Sequence, residues 1–303
     1  MTASTHTTDI PSESGLAFTH DTPKLASTYD QTSIHQFEHG RQLIAGLNVS
    51  SGDRVLDIGA GTGQLAAYVA KIVGPSGWVV GVDPLPLRVE IAQSKGGDNF
   101  EARVGRAEDF AEFADATFDV VYLNSVFHWV EDKPRAIAEM FRVLKSDGRL
   151  GLNCPDPTHP HEVFLFVGCA LTEAGVELDR SVAVAFQAQS QATQGRGLST
   201  LAPLRALRAL TGHELERLVT GAGFVAYESE LRTFVNFYPD VDALLAWMVS
   251  SSFGNFLANA SEVDRSRLRD ALGRLLEPKR LDGEGIRLES YLIFATAQKP
   301  KID

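Results

Sequence analysis

The sequence feature that most constrains the fold is a glycine-rich turn directly after a short apolar segment. Residues 55–58 are Val-Leu-Asp-Ile, and Gly59, Gly61 and Gly63 follow at alternate positions. Glycine tolerates backbone torsions that other residues avoid, and it lets a ligand approach the main chain closely. The pattern therefore predicts a buried strand that ends in a tight loop facing a ligand.

The segments after this loop indicate what kind of ligand it faces. Residues 64–73 carry apolar groups at helical spacing, so the loop is expected to lead into a helix whose free N–H groups face the ligand. Twenty residues after Gly63, a second apolar run at 78–82 ends in Asp83. An open α/β sheet holds a nucleoside in this way, with the backbone against one end and a carboxylate on the ribose hydroxyls.

Strands and helices continue to alternate as far as residue 153. The pattern predicts helices at 84–93 and 133–144, and strands at 100–104, 118–124 and 149–153. This alternation is typical of an α/β fold.

The spacing of the glycines separates two families with this architecture. Dinucleotide-binding folds favour G-x-G-x-x-G, whereas this chain has G-x-G-x-G followed by Gln64. The loop resembles motif I of the class I methyltransferases that use S-adenosylmethionine (SAM). Residues 118–152 resemble the same family's run of an FD-apolar strand, an HW pair, a helix and a VLKPGG turn, with Ser146 and Asp147 in place of Pro-Gly. Five segments in the family's order cover residues 53–153.

This resemblance implies a Rossmann-like seven-stranded sheet with helices on both faces, an antiparallel last strand and a helical cap. It also implies SAM as cofactor and S-adenosylhomocysteine (SAH) as product. Tyr29 matches a tyrosine that approaches the SAM carboxylate in the family. In the loop that clamps the adenine, Arg106 stands where Asp or Asn is commoner, so the Ala107 backbone and Glu108 are the candidates. The residues predicted to bind the cofactor are Tyr29, Asp57, Gly59, Gly61, Gly63, Asp83, Pro84, Ala107, Glu108 and Asn124.

The chemistry of SAM sets what else the protein must supply. The methyl group is electrophilic, so an acceptor must be held in line at about 3 to 3.5 Å with water excluded. A hydroxyl, phenol or acid acceptor can also need a base. His128 is the candidate, because histidine titrates near neutral pH; the alternative is that it only packs beside the cofactor. The predicted walls of the acceptor pocket are Phe37, Phe127, Trp129, Phe164, Trp247 and Phe256.

An insert is predicted after the fifth strand. Three prolines between 155 and 160 interrupt the pattern, after which residues 163–174 form a helical stripe, 182–189 a weaker one and 190–199 a polar loop. In the family an insert at this place usually caps the active site, so residues 155–211 are predicted to be a helical lid. A helix hairpin that merely packs on the sheet is the alternative.

The sequence predicts a single methyltransferase domain at residues 21–303, preceded by a flexible tail at residues 1–20. Residues 53–153 form its SAM-binding core, and residues 212–303 complete the sheet with a helical insertion. Thr211 and Glu214 predict a capping box at the start of a helix. The order of elements after it resembles the small-molecule branch of the family, which includes trans-aconitate methyltransferase.

Composition excludes several other classes. A net charge of −11 and a pI near 5.2 argue against a nucleic-acid partner. No apolar run approaches the roughly 18 residues of a membrane span, and the N-terminus lacks a signal-peptide pattern, so a cytoplasmic protein is expected. Two cysteines are too few for a thiolate metal site, and no metal is predicted. We expect a monomer or weak homodimer that acts on a small molecule.

Two functions from different classes remain open. The first is methylation of a small, fairly apolar metabolite by in-line transfer. The second is a SAM-binding regulatory protein of methyltransferase fold without such an acceptor. A nicotinamide dehydrogenase is disfavoured by the glycine spacing, and arsenic methylation by the low number of cysteines.

Overall fold

The computed structural model describes residues 18–177 and 209–301. The predicted helix at 182–189 and the polar loop at 190–199 lie outside the described residues, as does most of the predicted N-terminal tail. The last residues of that tail, Phe18–His20, form a single 3-10 turn.

A mixed sheet in the order β3-β2-β1-β4-β5-β8-β6 forms the centre of the molecule, with β7 paired to β8. The first five strands are parallel, whereas β8 runs antiparallel to both β5 and β6. The antiparallel last strand is confirmed; the two-residue β7 is an addition to the seven predicted strands. The strands are β1 (Arg54–Ile58), β2 (Trp78–Asp83), β3 (Phe100–Val104), β4 (Phe118–Asn124), β5 (Leu144–Pro155), β6 (Val225–Tyr238), β7 (Arg280–Leu281) and β8 (Gly285–Gln298).

Helices cover both faces of the sheet, and the capping box of Thr211 and Glu214 is present as predicted. A 3-10 turn at Phe127–Trp129 follows β4. The helices are α1 (Pro23–Thr32), α2 (Ile34–Gly46), α3 (Gln64–Val73), α4 (Pro86–Ser94), α5 (Lys133–Val143), α6 (Glu162–Ala174), α7 (Gly212–Gly221), α8 (Val241–Ser251) and α9 (Glu262–Leu276).

Several boundaries differ from the predicted ones for identifiable reasons. Helix α4 begins at Pro86 instead of residue 84, because the Asp83 carboxylate accepts the N–H of Leu85 and holds the preceding turn. Strand β5 begins at Leu144, directly after α5, and Asp147 takes a φ of +66° within it. The sequence predicted a strand only at 149–153, because residues 145–148 have the composition of a turn.

Three large apolar clusters hold these elements together, and a small fourth one contains Leu85 and Phe253. On one face of the sheet, α5 and α7 pack against alternate strand residues such as Leu56 and Val121. On the other face, α2 and α3 pack against Val55 and Val120. The third cluster joins α6, α8 and α9 to the paired ends of β6 and β8, so these helices form a cap at one end of the sheet. No helix within the described ranges is long and apolar enough to cross a membrane.

Candidate functional site

The loop between β1 and α3 carries the three glycines of the sequence motif. Their φ angles are +74° at Gly59, +54° at Gly61 and +78° at Gly63, in the region that favours glycine. A Cβ at Gly59 would overlap the side chain of Val126, and one at Gly63 would overlap Ala92 of α4. The positive torsions are as the sequence predicts, but at these two positions protein groups, and not a ligand, fill the space beside Cα.

Gly61 is the glycine that meets the other predicted cofactor residues. A Cβ there would lie 3.2 Å from Cε1 of Tyr29 in α1. The N–H of Gly61 donates to Oδ2 of Asp83 over 2.9 Å. The structure therefore brings together three residues that were predicted from separate parts of the sequence.

Asp83 ends β2 and is buried, with 7% of its surface exposed. Oδ1 accepts the N–H of Leu85 over 2.9 Å, across the turn that contains Pro84, and Oδ2 accepts that of Gly61. Each carboxylate oxygen accepts about two hydrogen bonds, so each keeps room for one more donor. Two neighbouring ribose hydroxyls would supply that number. Burial raises the pKa of Asp83, and the Arg88 guanidinium opposes this rise.

Asp57 lies in β1, in register with Tyr122 of β4. Both side chains are buried, and within the described residues Oδ2 of Asp57 has no hydrogen-bond partner of normal distance and angle. Burial raises the pKa of Asp57 to about 7; the Tyr122 hydroxyl lowers it and the Asp83 carboxylate adds to the rise. A buried carboxyl with an unpartnered oxygen is suited to a cation or a hydrogen-bond donor.

Arg88 of α4 is a buried residue that sequence reasoning missed. It forms an ion pair with Asp21 at 3.4 Å, both side chains being under 5% exposed, and donates from Nη2 to the Ser250 carbonyl over 2.6 Å. Its guanidinium carbon lies 4.2 Å from the centroid of the Tyr29 ring and 5.3 Å from that of Phe253. Arg88 thus ties α4 to α1 and α8. A single arginine on a short helix gave no sequence signal for this role.

The loop predicted to clamp the adenine follows β3. Ala107 is buried against the core on the α5 face. Oε1 of Glu108 accepts the N–H groups of Glu131 over 3.0 Å and Asp132 over 3.4 Å. Arg106 lies 3.7 Å from Glu108 and 3.5 Å from Glu131, so it pairs with the acids of both loops. The Glu108 side chain is therefore engaged by the loop after β4, and its contact with a ligand stays a prediction.

Asn124 ends β4, and protein groups occupy both ends of its amide. Nδ2 donates to the Gln36 carbonyl over 2.8 Å, and Oδ1 accepts from Nδ2 of Asn153 over 2.7 Å. The predicted contact of Asn124 with the cofactor would therefore rest on the one lone pair left on Oδ1 and one remaining N–H.

His128 lies in the 3-10 turn after β4. The residue is half-buried, and its Nδ1 is buried without a hydrogen-bond partner within the described residues. Burial lowers the pKa of His128 to about 3, and Lys133 and His161 act in the same direction. The imidazole is therefore neutral at pH 7 and a weak proton acceptor in this conformation, so its catalytic role stays a prediction.

The six aromatic residues predicted as pocket walls lie in four different clusters. Phe37 packs edge-on against Tyr68 of α3 at 5.9 Å, and Phe127 is fully buried beneath the α5 face. Trp129 packs with Phe253, whereas Phe164, Trp247 and Phe256 belong to the helical cap. Phe127 and Phe256 are thus core residues, whereas Phe37 is partly buried. Hydrophobicity predicted that they are buried, but not which elements they join.

Within residues 18–177 and 209–301, no group of three or more histidine, cysteine or acidic side chains is arranged to hold a metal ion. The two thiols also differ in their exposure to solvent: Cys154 is buried in β5, whereas Cys169 is exposed on α6.

The chain is similar in sequence to known methyltransferases. Residues 56–152 match a family model described as a methyltransferase domain. The chain is 36% identical over 119 residues to demethylmenaquinone methyltransferase from Lactobacillus johnsonii, covering 38% of this chain and 49% of the relative. It is 34% identical over 155 residues to the enzyme of that name from Symbiobacterium thermophilum, covering 48% and 61%. The chain thus spans about half the length of the curated relatives it matches.

A solved structure shares the fold across most of the chain. Phosphoethanolamine N-methyltransferase 2 from Haemonchus contortus, in complex with SAM, superposes with a TM-score of 0.56 at 18% identity, over 92% of this chain and 58% of that one. The matched segment at 56–152 contains the glycine loop between β1 and α3. The strand order of the sheet is consistent with the same type of domain. Residues 56–152 thus match a methyltransferase domain, and the chain has the Rossmann-like fold of class I SAM-dependent methyltransferases.

Proposed function

We propose that this protein binds SAM at the β1–α3 loop and transfers its methyl group to a small, fairly apolar acceptor. The observation that carries the proposal is the meeting of Gly61, Asp83 and Tyr29 around one loop, with Asp57 buried nearby. These groups come from two strands, one helix and the loop itself, and within the described residues the carboxyls of Asp57 and Asp83 retain capacity for a ligand.

The charges of this region fit a positively charged cofactor. Asp57 and Asp83 bring two buried carboxyls, whereas Arg88 is shared between Asp83 and its ion-pair partner Asp21. A buried carboxyl without a compensating charge holds its proton, which agrees with the raised pKa of Asp57. A sulfonium or ammonium group nearby would favour the ionised form. SAM carries both, and in the bound state it would supply an electrophilic methyl group.

The residues of this chain would hold and shield that group. Asp83 would accept the ribose hydroxyls, and Tyr29 would cover the loop beside Gly61. The aromatic packing of Trp129 on Phe253, at a centroid distance of 5.0 Å, would exclude water from the same edge of the sheet. His128 would accept a hydrogen bond at Nδ1, the ring atom that has no partner within the described residues.

The class of acceptor is supported by chemistry and by relatives. The cap carries partly buried aromatic side chains at the end of the sheet, among them Phe164 and Trp247, which suit contact with an apolar molecule. Demethylmenaquinone, named in two relatives, is an apolar small molecule. A net charge of −11 makes a nucleic-acid substrate unfavourable.

The experiment is methyl transfer from methyl-labelled SAM to small-molecule fractions of a cell extract, followed by mass analysis of labelled products. The proposal expects a labelled small molecule that appears with the wild-type protein and is lost with Asp83→Asn. Formation of a tight SAM complex without any labelled product in any fraction would favour the regulatory alternative.

A further inference from the structure

The strand end next to the glycine loop contains a strained residue. Ser125 follows β4 directly and has a φ of +59°. A non-glycine residue seldom takes such a torsion unless its surroundings hold it there.

Asn153 of β5 provides the surroundings that hold Ser125. It is fully buried, with 0% exposure, and its Oδ1 accepts the N–H of Ser125 over 2.7 Å and lies 3.4 Å from the hydroxyl. Its Nδ2 donates to Oδ1 of Asn124 over 2.7 Å. One amide thus fixes the main chain on Ser125 and the side chain on Asn124.

The turn held in this way decides where the next residue lies. The side chain of Val126 lies against Cα of Gly59, where no Cβ would fit, and its carbonyl accepts the N–H of Trp129 over 2.7 Å. The glycine loop and the 3-10 turn with His128 are therefore linked by the contact between Gly59 and Val126. The φ angle of Ser125 determines where Val126 lies.

We propose that Asn153 is a positioning residue for the cofactor site, which acts by holding Ser125 in its strained turn and thereby seating Val126 on Gly59. The proposal rests on the proposed binding of SAM at the glycine loop. It adds a residue of β5 whose hydrogen bonds reach Ser125 and Asn124 and not the glycine loop.

A set of variants tests this role through SAH affinity, measured by calorimetry. Asn153→Ala should weaken SAH binding about tenfold, because the turn loses its anchor. Adding Ser125→Gly to it should recover most of that loss, since glycine takes a positive φ without restraint. Ser125→Gly alone should bind like the wild type.

A matched control separates positioning from a general loss of structure. Asn236 is also a buried asparagine on the sheet, and it donates to Oγ of Ser290 over 2.9 Å, away from the glycine loop. Asn236→Ala should lower the free energy of unfolding in urea and leave SAH affinity unchanged. Should Asn153→Ala fail to fold, Ser125→Val leaves Asn153 intact and should still weaken SAH binding, because a β-branched residue resists positive φ.

A second measurement does not depend on the ligand. The indole NMR resonance of Trp129 should shift in Asn153→Ala and return in the double variant with Ser125→Gly. If the wild type binds no SAH, the proposed function fails while this resonance still decides the inference. Unchanged SAH affinity and an unshifted Trp129 signal in Asn153→Ala, or no recovery with Ser125→Gly, would overturn it.

Discussion

The guanidinium of Arg88 lies over the ring of Tyr29, with its central carbon 4.2 Å from the ring centroid. This contact joins α4, which follows the acid of β2, to the N-terminal helix that covers Gly61. Burial raises the pKa of Tyr29 and the Arg88 charge opposes the rise, so the phenol stays neutral at pH 7. The leading helix is thus fastened to α4 through a cation–π contact, and Tyr29 lies beside Gly61.

Arg88→Met should lower the free energy of unfolding by about 3 kcal/mol, because it leaves the buried Asp21 carboxylate without its partner. Urea denaturation measures the change. The control is Arg274→Met, which removes an ion pair to Glu173 whose side chains are 64% and 43% exposed; it should change stability by no more than about 0.5 kcal/mol. Equal losses in the two variants would contradict the role assigned to Arg88.

Asp83→Asn should weaken SAM binding by roughly ten- to a hundredfold, because charge-assisted hydrogen bonds to the ribose would be lost. Asp119→Asn is the matched control. Asp119 also accepts a backbone N–H, that of Arg54 over 2.8 Å, but lies at the amino end of β4, whereas Asp83 lies at the carboxyl end of the parallel strand β2. Calorimetry should find normal SAM affinity in Asp119→Asn. Normal affinity in Asp83→Asn as well would remove Asp83 from the site.

Gly61→Val should abolish cofactor binding in a folded protein, since the added side chain would press on Tyr29 and fill the ligand side of the loop. Gly175→Val is the control for backbone strain. Gly175 ends α6 with a φ of +64°, close to the +54° of Gly61, and a Cβ there would meet nothing within 4 Å. Both variants should lose similar stability, but Gly175→Val should bind SAH normally. Binding by Gly61→Val would place the cofactor elsewhere.

The elements of the fold were largely predictable because their signals are local. Helix α3 and strands β3 and β4 have the predicted boundaries, since apolar periodicity and flanking turn residues define them. The beginning of β5 was missed because Ser146, Asp147 and Gly148 form a turn pattern inside a paired strand. Its pairing depends on Phe118 of β4, which the local sequence cannot indicate.

The candidate site was predictable only where a residue type has one common use. Gly61 and Asp83 follow from strand ends and from the resemblance. Arg88 and Asn153 act through partners 67 and 28 residues away along the chain, and nothing in their neighbourhoods signals burial. The aromatic residues show the same limit, because hydrophobicity predicts burial but not which elements a ring will join.

Stability should fall as the pH drops below neutrality. Burial lowers the pKa of His39 to about 3 and that of His161 to about 4, whereas an unfolded histidine titrates near 6.5. Between these values the unfolded chain binds more protons, so each buried histidine costs up to about 1.4 kcal/mol per pH unit as the pH falls from 6.5 towards 4. Asp57 acts in the opposite sense: its raised pKa of about 7 favours the folded state as the pH falls from 7 to 4.

Urea denaturation at pH 7, 6 and 5 measures this dependence. His161→Asn should flatten the loss of stability below pH 6.5, because one of the buried histidines is gone. His213→Asn, at an exposed position whose side chain is 76% accessible, should leave the slope as in the wild type. An unchanged slope in His161→Asn would contradict the assignment of the pH dependence to buried histidines.

Binding of the methyl donor at the loop of Gly61 and Asp83 is measured by titrating the wild-type protein with SAM and with SAH in a calorimeter. We expect saturable binding of one molecule per chain, with a dissociation constant on the order of micromolar and competition between the two compounds. Absence of saturable heat for both compounds up to about millimolar concentration, with the protein folded, would contradict it.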